Sequence, residues 1–200
     1  WVANFCVFIA LFLSIPAHAS SQIEVANRLI NTMVRDVETY LLADSGDISK
    51  RTKNITRLLD THFDISGIAR FSAGPYWRAA NEEERLTYTE SMREALIGTI
   101  ARNFDQLVGL RFTIIDSQAK GGRMVLVRVT FRDKDGNRPP VSVGWRVVTP
   151  HPAPAKVLDV EIENISMLIT QKQENIAIIR KNGGRFSALI QAMKRRQQIQ

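Results

Sequence analysis

Few residues in this 200-residue chain are of the types that do chemistry. His62 and His151 would suit a base or a metal ligand. Asp159 and Glu161, two apart in a strand-like run, would share one strand face as a carboxylate pair. A hydrolase or lyase using Asp159 or His62 is the chemistry these residues allow. Three features stand against it. The histidines are far apart, and His151 sits inside Pro150-His-Pro-Ala-Pro154, whereas metal sites need more ligands or a spacing that brings two together. There is no Gly-x-Ser-x-Gly elbow, no Gly-rich phosphate loop and no cysteine beyond Cys6. Alternating strand carboxylates are ordinarily solvated charges. Asp133-Lys-Asp-Gly-Asn137 brings its Gly too early for a calcium loop and reads as an Asp-Gly turn. The expectation is a protein that is not an enzyme, with no metal and no cofactor.

The beginning of the chain is apolar and uncharged from Val2 to Ile15, then runs Pro16-Ala-His-Ala19. This is the hydrophobic and cleavage region of a secretory signal, too short to span a bilayer. Residues 1–19 are expected to be removed, which leaves 20–200 as one exported domain without cysteine. A basic leader segment is missing, so the first residues of the signal are expected to precede Trp1. The net charge is +7. In an exported protein that charge favours anionic lipid surfaces or acidic partner proteins over nucleic acid.

The elements follow from caps and periodicity. Ser21-Gln-Ile-Glu24 is a capping box, followed by Ile23, Ala26, Ile30, Met33, Val37 and Leu41 at helical spacing as far as Asp44-Ser-Gly46. A second helix from Asp47 turns Ile55, Leu58, Leu59 and Phe63 inward, and Asp64 caps a third over 65–73. Gly74-Pro75 breaks that helix, and Asn81 with Glu84 starts the longest one. Its stripe is Leu86, Thr89, Met92, Leu96, Ile100, Phe104 and Leu107, with Gly109 as the stop. Between break and start, Tyr76 and Trp77 wedge the corner, as core or as cavity lining. Strands are read over 111–117, 123–132, 141–149 and 156–163, with a hairpin at Lys120-Gly-Gly122. Val125, Val127, Val129 and Phe131 share one face; so do Val141, Val143, Trp145 and Val147, and Leu158, Val160 and Ile162, with Asp159 and Glu161 opposite. Helices over 165–181 and 186–196 follow, parted by Gly183-Gly184. The fold class is α+β, a curved four-stranded antiparallel sheet with helices on one face enclosing an apolar cavity.

The run Phe63-Asp-Ile-x-x-Ile-Ala-Arg70, then Gly74-x-Tyr-Trp-Arg78 and Glu82-Glu-Glu-Arg85, resembles the MlaC/toluene-tolerance family of periplasmic lipid-binding proteins. Lys156-Val-Leu-Asp-Val160 leading to Ile165-Ser166, and the closing Gly183-Gly184 with Leu189-Ile190, are similar to that family's second half. Trp145-Arg146 and Ser166-Met167 look most like its hopanoid-associated branch. Asn164 stands where the family usually has Gly, Gln171-Lys172 where a Tyr-Arg pair is common, and Ile100 where a Tyr often lies.

The resemblance implies a monomeric periplasmic carrier, auxiliary to an ABC transporter. It would move phospholipid between an outer-membrane lipoprotein complex and an inner-membrane ABC transporter complex. A hopanoid carrier is the nearest alternative, and a docking module using Arg180, Lys181, Arg185, Lys194, Arg195 and Arg196 is a second. At about 0.8 kcal/mol per buried methylene, two acyl chains represent roughly 20 kcal/mol, so a carrier must offer a dry interior. The candidate lipid contacts are Phe71, Tyr76, Trp77, Leu96, Ile100, Phe104, Val127, Val129, Val143, Trp145, Val147 and Met167. A filled core would use the same residues, and the pattern fits both.

Overall fold

The computed structural model describes residues 17–199 other than 45 and 151, so most of the signal-like run and His151 lie outside the described residues. The helices are α1 (Ala17–Leu42), α2 (Ile48–His62), α3 (Ile65–Ser72), α4 (Glu82–Asn103), α5 (Met167–Lys181) and α6 (Phe186–Ile199). Single 3-10 turns follow α3, over Gly74–Trp77, and α4, over Phe104–Leu107.

Short side chains set the boundaries. Asp47 accepts from the amides of Ser49 and Lys50, and Asp64 from that of Gly67. Asn81 and Glu84 form a complete reciprocal box at α4. Ser166 caps α5 through the Ile169 amide. Gly74 takes φ +60°, and a Cβ there would approach Ile176 Cδ1 of α5 to 3.0 Å. The break is therefore also a point of close packing against α5.

Three helical expectations need correction. Ser21 is not the start of α1; the helix begins at Ala17, because Ala17-His-Ala-Ser20 contains no breaker. The long helix ends at Asn103, and Phe104–Leu107 tighten into a 3-10 turn before Gly109 at φ +76°. Its buried side chains are Tyr88, Ser91, Met92 and Ile97, while Leu86 is exposed. The helix is wedged between two apolar masses rather than resting one stripe on a single face.

The strands are β1 (Leu110–Ala119), β2 (Met124–Asp133), β3 (Val141–Val148), β4 (Lys156–Ile162) and a fifth, unforeseen two-residue strand, β5 (Ile165–Ser166). They form an antiparallel meander in chain order. Register places Val127 opposite Trp145, and Trp145 opposite Val160, with bulges between Ile114 and Asp116 and between Arg146 and Val147. Each bulge adds local bend and twist. The β4–β5 reversal uses Glu163 and Asn164, both at positive φ (48° and 66°), as a type I′ turn requires.

α1 packs on β1, β2 and β3, α2 on α1 and α4, and α3 and α5 meet the sheet at β4. That last contact reverses the expected polarity of β4. Val157, Asp159 and Glu161 are its buried residues, while Leu158 and Val160 are half-buried and Ile162 is exposed. Asp159 lies under the start of α5: it accepts from Ser166 Oγ (2.6 Å) and from the Leu168 amide (2.9 Å). Arg146 donates from Nε to Glu161 at 2.7 Å and lies 3.7 Å from Asp159. The carboxylates are buried because the Ser166 hydroxyl, the Leu168 amide and the Arg146 guanidinium converge on them.

Candidate functional site

Three groups of buried apolar side chains form among the described residues. One joins α3, α4, α5 and α6 around Tyr88, Leu189 and Ile179. The second joins α1 to the sheet through Ala26, Ile30 and Met33 against Val125, Val127, Val129, Val147 and Val157. The third joins α2 to α4 through Ile55, Leu59, Ile97 and Phe104. A domain of this size usually has one contiguous core.

Here the three are bridged by side chains that stay only partly buried. Phe63 touches all three groups. Ile65 and Leu96 join the first to the third, and Val37 and Tyr40 join the second to the third. Phe63 reaches its place because it ends α2 and bridges to Val157 in β4, while the Asp64 amide donates to the Val157 carbonyl at 2.9 Å. The ring of Phe63 meets the edge of Trp145 at 6.5 Å, and the Trp145 indole N–H is buried without an acceptor. This seam of half-buried aromatic and aliphatic groups lies where the three buried groups meet. Its side chains are of the apolar kind that line sites for apolar ligands.

The expected lipid contacts divide around the seam. Val127, Val129, Val143 and Val147 are buried on the sheet, with Trp145 half-buried beside them. Leu96 and Ile100 reach the seam partly buried. Phe104 is 1% exposed and lies beneath the Arg51 guanidinium, 5.8 Å from its ring, so it is enclosed in the third group. Tyr76 and Trp77 pack on the first group at the helical corner, and Arg85 lies over the Trp77 ring. Phe71 is surface-exposed at the end of α3. Met167 is exposed with Val141, Ile162, Ile165 and Ile169 near the β4–β5 turn. Phe63 and Tyr40, which also lie along the seam, were not among the expected contacts. The signal available for Phe63 was its position at the junction of two capped helices, since a residue between two caps must enter the interior at a corner.

Polar groups around the helical corner close on themselves. Asn175 Nδ2 donates to Tyr88 Oη at 2.7 Å and lies 3.2 Å from the Ser72 carbonyl. Tyr88 donates to Ser72 Oγ at 2.8 Å, and Ser72 to the Ala69 carbonyl at 3.1 Å. Gln171 Nε2 donates to Asn175 Oδ1 at 2.9 Å. Burial pushes the Tyr88 phenol up to about 12. His62 is 3% exposed; its Nε2 bonds Asp36 at 2.7 Å and its Nδ1 is buried without a partner. Among the described residues, no group of three His, Cys, Asp or Glu side chains could hold a metal ion. No described helix is long and apolar enough to cross a membrane.

The fold resembles a crystal structure of a phospholipid-binding protein from Ralstonia solanacearum in complex with a phospholipid, with TM-score 0.73 and 23% sequence identity. The likeness covers 84% of this chain and 94% of that one. No curated protein matches the sequence. The family model for the MlaC protein matches residues 27–195, from the middle of α1 through most of α6, and the chain belongs to the MlaC family.

Proposed function

We propose that this protein is a periplasmic lipid carrier, exported with removal of residues 1–19, that takes phospholipid between the outer membrane and an inner-membrane ABC transporter. It acts as a monomer and performs no catalysis. The observation that carries the reading is the seam: three buried apolar groups that meet through partly buried Phe63, Leu96, Val37 and Tyr40, with Trp145 beside Phe63. Two supports come from outside the chain: membership of the MlaC family, and the likeness to a protein crystallised with a phospholipid. Acyl tails would part the α1–sheet layer from α2 and α4 along this seam. There they would lie against side chains that are only partly buried. The contacts proposed for the tails are Leu96, Ile100, Val127, Val129, Val143, Trp145 and Val147, with Phe63 added.

The test is native mass spectrometry of protein isolated from the periplasm, with extraction and identification of what it carries. One phospholipid per protein is expected. A hopanoid would keep the carrier and change its cargo. Protein that stays empty after incubation with phospholipid liposomes would sink the reading.

A further inference from the structure

Away from the seam, the structure carries a second place suited to an amphiphile. Two surface hollows meet at Arg70 and Phe71 on the outer side of α3. The first, about 430 Å³, is mainly apolar, lined by Phe71, Gly67, Leu158, Val148 and Pro150, with Arg123 at its rim. The second, about 410 Å³, is cationic, lined by Arg70, Arg78 and Lys172 around Phe71, Gly74 and Pro75. Each is within the size range of small-molecule sites. Phe71 is 40% exposed, and Lys172 Nζ lies 4.7 Å from the centre of its ring.

Several arginines elsewhere have a carboxylate partner: Arg51 with Asp44 and Asp105, Arg93 with Asp60, Arg138 with Asp133, Arg146 with Glu161. Arg70, Arg78, Arg123 and Lys172 pair with no carboxylate among the described residues. The one acid in the groove, Asp64, lines the apolar hollow and accepts the Gly67 amide at 2.9 Å. The cationic hollow contains no acid. Apart from the contact of Lys172 with the Phe71 ring, no carboxylate among the described residues offsets this gathering of like charges.

We infer that this groove is a binding site for a phosphate-ester amphiphile. The phosphate sits among Arg70, Arg78 and Lys172, Phe71 covers the adjoining carbons, and the apolar remainder runs over Leu158 and Val148. The two hollows favour this direction, because the second gathers three cations without an acid, whereas the first is mainly apolar and sets Asp64 beside Arg70 and Arg123. The inference leans on the carrier reading only for the choice of a phosphate ester as the anion.

The experiment titrates the protein with dihexanoyl phosphatidic acid, monitored by amide chemical shifts. Dihexanoylglycerol and inorganic phosphate serve as controls. Shifts are expected at Arg70, Phe71, Gly74 and Lys172, with at least tenfold weaker binding in Arg70→Gln/Lys172→Gln and severalfold weaker binding in Phe71→Ser. All three positions are on the surface, and unchanged spectra elsewhere would certify the variants as folded. Equal binding of dihexanoylglycerol, or no loss in the double variant, overturns the site. Inorganic phosphate binding as tightly as the lipid overturns the amphiphile assignment in favour of a plain anion site. Uptake of long-chain phospholipid from liposomes is measured on the same samples. A parent protein that fails that uptake yet binds the short lipid here would remove the carrier reading and leave the groove.

Discussion

The helical corner and the sheet–helix seam are both apolar, yet they are finished differently. At the corner, Tyr88 is fully buried and its hydroxyl sits in a chain of hydrogen bonds through Asn175, Ser72 and the Ala69 carbonyl. The rings of Trp77 and Phe186 meet Tyr88 edge-on at 6.5 and 5.4 Å. At the seam, Phe63 and Trp145 are only half-buried, and the Trp145 indole N–H has no partner. A satisfied buried network holds one geometry, because any displacement leaves several groups unpaired at once. A seam of half-buried apolar groups loses little when it parts. The molecule thus joins a block of α3 to α6, ordered by this network, to an α1–sheet layer, and the two meet through half-buried apolar groups around Phe63.

The largest expected effects test this division directly. Leu59, fully buried in α2, should cost about 3 kcal/mol on truncation to Ala, as interior leucines do. Phe63, four residues on, is larger, yet Phe63→Ala should cost no more than about 1–2 kcal/mol, because its ring is already partly in water. Lipid content should reverse the order, falling in Phe63→Ala and holding in folded Leu59→Ala. Urea unfolding paired with lipid extraction checks both, and equal penalties would mean the seam is ordinary core. Widening a side chain extends the test. Leu96→Trp, which would cost about 1–3 kcal/mol in a filled core, should be nearly neutral here and should displace lipid.

Next in size is Asp159→Ala, which removes the acceptor that ties β4 to the first turn of α5. Ser166 Oγ, the Leu168 amide and the Arg146 guanidinium would all lose a partner, at about 3 kcal/mol. This residue also shows where sequence reading stopped. The caps Asp47, Asp64 and Asn81–Glu84, the Gly74-Pro75 break and the strand alternation were legible because each depends on residues within a few positions. A buried carboxylate depends on Arg146, 13 residues earlier, and on Ser166, seven residues later across a turn; alone, Asp159 reads as a solvated strand charge. Tyr88 escaped for the same reason, since its partners Ser72 and Asn175 lie 16 and 87 residues away. The seam was legible only as a list of apolar residues. Which of them stay half-exposed is set by how three groups meet, as Phe104 (enclosed) and Ile100 (at the seam) show.

Tyr88 offers a test of the α3–α6 block through pH. Its folded pKa, about 12, lies above the value near 10 of an unfolded tyrosine. Above pH 10 the unfolded state therefore loses a proton that the folded state keeps. Stability tied to this group is complete below pH 10 and falls by about 1.4 kcal/mol per unit until pH 12. Tyr88→Phe should cost about 1–2 kcal/mol at pH 7 by stranding Asn175 and Ser72, and it should remove this alkaline loss. Stability measured against pH in both proteins checks it, with lipid content at pH 7 expected to be unchanged. A parallel decline in the two would place the alkaline sensitivity elsewhere.

The smallest effect lies where the two regions are joined by backbone. The β4–β5 reversal places Glu163 and Asn164 at positive φ, and α5 starts three residues later. Glu163 is held there: its amide donates to the Ser142 carbonyl at 3.0 Å, and its carboxylate accepts the Ser142 amide at 2.8 Å. Asn164 has no such tether, and only its tolerance of left-handed backbone suits it to the site. Glycine at this second turn position has no Cβ to strain, at some cost in unfolded-state entropy. Asn164→Gly should therefore raise stability by about 0.5 kcal/mol, seen as a small shift in the urea midpoint with unchanged slope. Asn164→Val should lower it by about 1–2 kcal/mol, since a β-branched residue there is a backbone outlier. If both variants match the parent, the turn is not what fixes β5 and Ser166, and the Asp159 contacts alone hold the start of α5.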